Sequence, residues 1–326
     1  MVHARAFSFT DDAIEVGLPS ASNAVRGPSS GVIGSLAADP SLLHFRLRRL
    51  QSHWYQTLFQ SDPNDPLSDS ASFIWQMCHD MREWSESLPD SLAIGVRELF
   101  ELELRYSYVY CIAPSARAPH MTAYGRMLIF EHTIAYLNRI YEVAHAVMNT
   151  SFYTYHDALR VYFMGSQFVA VLRSDGDTII SGANAPVPPA LPGQPGPPPL
   201  PKRLDGGTAG DNLDRSLRSL DRVSLTLRKY GERWEDALAL LQSFEMISLE
   251  VLTWLRNKRR ARDSENSSHR QRPYHQHHGS SQPHLQTASQ AAPSTLQRAH
   301  SQRSQDRQFE EVQWINVDAS QMGHRG

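Results

Sequence analysis

Cysteine is nearly absent from this sequence, with two residues, Cys78 and Cys111, in a chain of 326. They stand 33 positions apart, and neither belongs to a C-x-x-C pair, so the sequence has no cysteine-based zinc site. Both lie among apolar residues in helical patterns, which indicates buried thiols in a reducing compartment.

The sequence also lacks a large excess of charge of either sign and any long apolar run. Thirty-two Lys and Arg residues stand against thirty-four Asp and Glu residues, so the chain lacks the basic field typical of a nucleic-acid binder. No apolar run reaches about 18 residues, and the N-terminus lacks the charged-then-apolar pattern of a signal peptide. We therefore expect an intracellular protein that does not enter a membrane.

Motifs for catalysis are also missing. The sequence contains no nucleophile elbow, no phosphate-cradling glycine loop and no H-E-x-x-H. The adjacent pairs His156-Asp157 and Glu131-His132 would point about 100° apart on a helix and so could not act on one another. We predict that the chain is not an enzyme and has no catalytic residue, cofactor or metal site.

Helical periodicity is what the sequence does contain. Apolar side chains recur at steps of three and four in five successive segments, which is typical of amphipathic helices. The predicted helices cover about 41–58, 70–87, 96–112, 123–148 and 155–172, the first one capped by Ser41. The last segment is apolar almost all round, so it predicts a helix buried on most of its faces and innermost in the bundle. The fold class is therefore all-α, a multi-helix bundle over 41–173.

The remaining segments differ in composition. Residues 1–40 are predicted to be an irregular N-terminal segment, and residues 174–211 a proline- and glycine-rich linker with nothing to bury, because nine of the twenty prolines fall between Pro186 and Pro201. A helical hairpin over 212–256, turning at Tyr230-Gly231, is expected to pack on the body. Residues 257–326 are rich in Ser, Gln, His and Arg and are predicted to be a disordered tail.

Several short motifs follow one another along the chain. An acidic and apolar strip near the N-terminus is followed by a leucine- and arginine-containing helix, a Trp-to-Leu-Pro stretch, a Leu-x-Tyr helix ending in Pro-Ser, and an aromatic-His helix start with a small residue deeper in the helix. The residues concerned are, in order, Arg5, Asp11, Ile14, Val16, Leu18, Pro19; Leu47, Arg49, Leu50, Ser52, Leu58; Trp84, Leu88, Pro89; Leu104, Tyr106, Pro114, Ser115; and Tyr155, His156, Gly165.

This order of motifs resembles the middle homology region of fungal transcription factors that carry a binuclear zinc cluster. The resemblance implies a helical regulatory module that contacts a dimer partner, in a regulator whose targets form a metabolic gene cluster. One departure is plain: the family's DNA reader needs six closely spaced cysteines, and this chain has two. The sequence is thus either a shortened relative that acts through partners or the rear part of a longer regulator.

Arg105 raises the question of an effector site, since it lies beside Tyr106 on a helix expected to face the core and its charge needs a partner. One interpretation is an effector pocket lined by Arg105, Tyr108 and His156. The alternatives are that Arg105 pairs with a core acid or points outward, and that His156 simply begins its helix.

A compact basic run follows the hairpin. Its cations are Arg256, Lys258, Arg259, Arg260 and Arg262, and the run is interpreted as a nuclear localisation signal or a phosphate contact. The alternative is a solvated helix end, where cations favour the negative pole of the helix dipole.

The C-terminal tail carries two further patterns. Phe309, Trp314 and Ile315 stand among acidic residues, which resembles an activation segment that folds on a coactivator, or else a short element that docks on the body. Histidines between His269 and His284 would bind a metal loosely at best, and solvated low-complexity tail is the simpler interpretation.

Two functional hypotheses follow. In the first, the chain is a nuclear regulator of transcription that works with other transcription proteins or a homodimer partner and binds DNA only weakly or through partners. In the second, it is a helical adaptor outside the nucleus that works through its tail and through Pro198-Pro199-Leu200-Pro201-Lys202-Arg203, which matches the P-x-x-P-x-basic pattern read by SH3-type grooves.

Overall fold

The computed structural model describes residues 39–62, 64–65, 67–146, 154–183, 185–201 and 211–270, with side chains as far as residue 265. This part of the chain is all-α, as predicted, with seven α-helices, a π-helical turn at Gln56–Gln60 after the first of them, and no strand. The helices are α1 (Pro40–Tyr55), α2 (Ser70–Glu86), α3 (Ile94–Ile112), α4 (Ala123–His145), α5 (Tyr155–Ser181), α6 (Asn212–Gly231) and α7 (Asp236–Arg270).

Local side-chain hydrogen bonds cap the N-termini of several helices. The carboxylate of Asp39 accepts a bond from the backbone N–H of Ser41 at 2.8 Å, so Asp39 caps α1 and the prediction of a Ser41 cap was wrong by two positions. Pro40 fits the first turn because its missing N–H would have no partner there. At α5, the carboxylate of Asp157 accepts from the backbone N–H of Thr154 at 2.7 Å, which completes a capping box.

Helix α5 is longer than the sequence predicted. It bends at Asp175 (φ −143°, ψ 26°) and continues to Ser181, ending at Gly182 in the left-handed conformation. The predicted linker start at 174 was therefore wrong. Gly176 lets the bent helix approach α7, because a Cβ on Gly176 would lie 2.6 Å from the ring of Trp254, and Ile179 is buried beyond the bend.

Helix α7 also extends beyond its predicted end. Residues 257–270, which were predicted to belong to a disordered tail, are helical. Arg and Lys favour helix, and Lys258 forms an ion pair with Asp177 of α5 at 2.8 Å. A polar helix end has no apolar stripe, so hydrophobic periodicity stops before the helix does.

One core joins the body to the hairpin. Helix α6 packs on α4 and α5, and α7 packs on α5 and α6, which confirms the predicted docking of the hairpin. Phe130 of α4 and Phe168 of α5 are fully buried and stack with ring centroids 5.2 Å apart. Leu128 and Ile129 are fully buried too, so α4 is enclosed on most faces and shares the central position that was predicted for α5 alone.

The proline-rich segment was expected to have nothing to bury, and this was wrong for Pro198, which is buried. The hydroxyl of Tyr124, in the first turn of α4, donates to the Pro198 carbonyl at 2.9 Å. The segment from 185 to 201 is thus attached to the helical body.

Candidate functional site

Two of the three residues of the predicted effector pocket lie together. Arg105 and Tyr108 are one turn apart on α3, and the ring of His132 on α4 lies 4.9 Å from the Tyr108 ring. The Tyr108 hydroxyl donates to the carbonyl of Cys78 at 3.3 Å. Burial lowers the pKa of Arg105, and Glu101 partly offsets this effect. Arg105 is thus half-buried beside an acid of its own helix.

His132 is the unexpected member of this group. It is buried, and neither ring nitrogen has a hydrogen-bond partner among the described residues. Burial, with a smaller contribution from the nearby Arg105 charge, lowers the pKa of His132 to about 3. A neutral imidazole therefore occupies this part of the core.

His156, the third residue of the predicted pocket, lies in the first turn of α5 and is half-buried. One turn later Arg160 contacts α3 through Glu103 at 2.5 Å and through the face of the Tyr106 ring at 5.0 Å. Glu103 and Arg105 are two positions apart, so they point about 200° apart around α3. The described contacts of this part of α5 thus fall on a different face of α3 from Arg105, and the three-residue pocket stays a prediction.

Sequence reasoning missed the buried ionic cluster around Glu103. Besides Arg160, the Glu103 carboxylate lies 3.4 Å from the guanidinium of Arg48 on α1. Arg160 and Arg48 hold the pKa of Glu103 below its usual value even though burial opposes them, and the partners together raise the pKa of Arg160 despite the opposing effect of its burial. The cluster joins α1, α3 and α5 through one carboxylate.

A second buried ion pair joins α6 to α4. Arg215 donates two bonds to the Glu131 carboxylate, at 2.9 and 2.6 Å, and a third to the Asn212 side chain at 2.8 Å. Both charged side chains are less than 10% exposed. Because the two guanidinium N–H donors of Arg215 point in fixed directions, the paired hydrogen bonds are directional. The ion pair therefore fixes the orientation of the hairpin on the body.

The predicted basic run forms the C-terminal part of α7. Lys258 pairs with Asp177, Arg259 lies 4.0 Å from Asp214, and Arg262 pairs with Asp211 and Asp214. Within the described chain no acid pairs with Arg256 or Arg260, which are exposed and one turn apart. Two of the five cations are therefore free to meet a partner.

A cleft of about 300 Å³ lies where α5 bends, between Asp175 and Trp254. Its charged walls are already paired, with Arg173 3.4 Å from Glu250 and Asp175 3.3 Å from Arg126. The cleft is a polar groove whose charges are satisfied by the protein itself.

The other predicted features divide into those that are described and those that are not. Cys78 and Cys111 are free, buried thiols, as expected. Within the described ranges no cluster of three or more His, Cys, Asp or Glu could hold a metal ion. Arg5 to Pro19, Lys202, Arg203, the histidines from 275 to 284, and the segment with Phe309, Trp314 and Ile315 lie outside the described residues, as does the side chain of His269.

Among the described helices, α7 is the one long and apolar enough to cross a membrane, with a mean hydropathy of 1.3 over its most apolar 18 residues. One face of α7, with Phe244, Val251 and Leu255, is buried in the core, while Met246 and Leu249 on the opposite face are 72% and 63% exposed. Of that apolar window, 28% is buried inside the protein. That the chain does not enter a membrane stays a prediction.

Comparisons with protein-family models, with curated proteins and with solved structures gave no match for this chain.

Proposed function

We propose that the chain is a non-enzymatic regulator of transcription, similar in kind to the regulatory region of fungal zinc-cluster transcription factors and controlling a metabolic gene cluster. It acts in the nucleus with other transcription proteins or with a second copy of itself. It carries no zinc-cluster reader of its own and reaches DNA weakly or through its partners.

The observation that supports this proposal is how the motif residues are used. Leu47, Leu58 and Tyr106 are buried in one helical body. Gly165, the small residue of the aromatic-His motif, lies where a Cβ would be 2.8 Å from the ring of Phe244. These four motif residues thus serve the packing of one helical body, which is the kind of module that the resemblance implies.

Two surface features support a role in the nucleus with partners. Arg256 and Arg260 belong to a basic run of the kind that serves as a nuclear import signal, and both are exposed on one face of α7. On another part of the same helix, the exposed Met246 and Leu249 offer apolar surface to a protein partner.

Nuclear import is the property to test first. In cells that express the tagged full chain, Arg256→Ala with Arg260→Ala should move the signal from the nucleus to the cytosol, because these two cations have no acid partner in the described chain. Neither substitution removes an ion pair, so the fold should be kept. Fluorescence imaging gives the nuclear fraction.

The matched control is Arg46→Ala with Arg218→Ala, which removes two exposed arginines from α1 and α6 and should leave the signal nuclear. A cytosolic signal for the unchanged chain would contradict the nuclear role and favour the adaptor hypothesis. That hypothesis relies on Pro198 to Arg203, and the first proline of this motif is buried against the body.

A further inference from the structure

The proline-rich segment folds back on itself after leaving α5. The backbone N–H of Gln194 donates to the carbonyl of Leu191 at 3.0 Å, and Gly193 between them has a φ of 78°. Pro192 followed by a glycine of positive φ is the pattern of a type II turn. The turn brings the two limbs, 185–191 and 194–201, back alongside each other, since a Cβ on Gly196 would lie 3.4 Å from the Cβ of Ala190.

The second limb meets the helical body at Tyr124. This side chain is only 5% exposed, and its hydroxyl lies against one short stretch of the segment's backbone. The hydroxyl donates to the carbonyl of Pro198 at 2.9 Å. Burial raises the pKa of Tyr124, and the nearby backbone N–H of Leu200 partly offsets this effect. Pro198 is buried, whereas Pro199 and Leu200 are exposed.

These contacts match the chemistry by which proteins bind polyproline segments. An extended proline-rich chain has no internal hydrogen bonds, so its carbonyls are free to accept. Aromatic-lined grooves read such a chain by contact with proline rings, and an aromatic hydroxyl can donate to a backbone carbonyl. Tyr124 offers a ring and a hydroxyl at the start of α4, and Pro198 is the residue it binds.

We propose that the first turn of α4, with Tyr124 at its centre, is a polyproline-binding site whose occupant is the chain's own segment 194–201. Because the segment is tethered to α5, its effective concentration at the site is high. While the segment is bound, Pro198 is unavailable to an SH3-type groove. The helical body therefore blocks binding of the P-x-x-P motif by a partner.

A single backbone amide reports on this contact. Pro197, Pro198, Pro199 and Pro201 have no N–H, which leaves Leu200 as the one exchangeable amide from 197 to 201. In the full chain the Leu200 amide should exchange at least about tenfold more slowly than in a free peptide of residues 192–201. Site-resolved hydrogen exchange measures both rates.

Tyr124→Phe keeps the ring and removes the hydroxyl, so it should return the Leu200 exchange rate to within about threefold of the peptide rate. Tyr141→Phe removes a hydroxyl near the other end of α4 and should leave the rate unchanged. Circular dichroism of each variant shows that the helices are kept.

Binding in trans completes the test. Pro198→Asp places a carboxylate in the buried position, which should release the segment and empty the site. The full chain with this substitution should then bind a labelled peptide of residues 192–201 at least about tenfold more tightly than the unchanged chain, whose site is occupied.

Equal Leu200 exchange in the full chain and in the free peptide would overturn the proposal. Equal binding of the labelled peptide by the two chains would do the same. Protection of Leu200 that appears only as the protein concentration rises would show that a second copy supplies the segment, and would overturn its assignment to the same chain.

Discussion

Gly165 shows how the lack of one side chain decides the packing of α5. A Cβ at this position would lie 2.8 Å from the Phe244 ring and 3.0 Å from a methyl group of Val223, so α5 approaches both hairpin helices only because the position is glycine. Gly165→Ala should therefore lower the free energy of unfolding by about 1–3 kcal/mol, measured by urea denaturation.

Gly95 provides the matched control for this substitution. It lies in the first turn of α3 with no atom within 4 Å of an added Cβ. Gly95→Ala should leave the stability unchanged or raise it by up to about 1 kcal/mol, since alanine favours helix. Equal effects of the two substitutions would contradict the close approach of α5 to the hairpin.

His132 should make the stability depend on pH. Its folded-state pKa of about 3 lies below the ordinary histidine value of about 6.5, so in acid the unfolded chain binds a proton that the folded chain does not. The stabilisation is complete above the unfolded pKa and is lost as the pH falls below it. Between pH 7.5 and pH 5 this single group should lower the free energy of unfolding by about 2 kcal/mol.

His132→Leu should remove this part of the pH dependence, and urea denaturation at the two pH values measures the difference. Because neither ring nitrogen has a partner among the described residues, the substitution breaks no hydrogen bond there. His53→Leu, at an exposed position on α1, should leave the slope as it is. An unchanged slope in His132→Leu would show that the imidazole is hydrated.

At the scale of helices, Glu103 is the contact on which three elements converge. Glu103→Gln keeps the shape of the side chain but leaves Arg160, 13% exposed, and Arg48, 28% exposed, without their shared counter-charge. Removing one partner of a buried ion pair typically costs about 3–5 kcal/mol. Thermal and urea unfolding should show a loss of this size.

The control is Glu98→Gln on the same helix. Glu98 pairs with Arg139 at 2.6 Å, and both side chains are 40% exposed, so solvent screens the interaction and the loss should stay within about 1 kcal/mol. Similar losses for Glu98→Gln and Glu103→Gln would mean that the Glu103 cluster is open to water.

The helices and most of their ends could be predicted from the sequence, but the C-terminal ends of α5 and α7 could not. Apolar residues at steps of three and four predicted each helix over the part that packs against the core. Beyond that part, α5 continues through Asp175 to Ser181 and α7 continues past Leu255 to Arg270. Ion pairs and one close glycine stabilise these extensions, and neither leaves a periodic signal in the chain.

The buried charges escaped prediction for a related reason. Arg160 and Glu103 are 57 residues apart, and Arg215 and Glu131 are 84 apart, so no local pattern joins them. Arg105 was singled out because it stands beside Tyr106, yet a helix separates neighbours by about 100°. The sequence raised an ion pair for Arg105 as one alternative and gave no sign of the buried pairs that Arg160 and Arg215 form.

At the scale of the whole molecule, one apolar core extends from α1 to α7 and includes the hairpin. The hairpin is separated in sequence from the body by the proline-rich segment, yet the Arg215–Glu131 pair and the packing of Phe244 against Gly165 attach it to α4 and α5. The described chain is thus a helical body whose helix α7 carries two exposed cations without an acid partner in that part of the chain, Arg256 and Arg260, and two exposed apolar residues, Met246 and Leu249. These features suit a protein that works through partners.

Transcription itself is the property that tests this account most directly. The full chain, fused to an unrelated DNA-binding domain, should change the output of a reporter gene whose promoter carries that domain's site. The change should shrink when Phe309, Trp314 and Ile315 are all replaced by Ala, since these residues form the proposed activation segment. A reporter output equal to that of the DNA-binding domain alone, from a fusion shown to be folded and nuclear, would contradict a role in transcription.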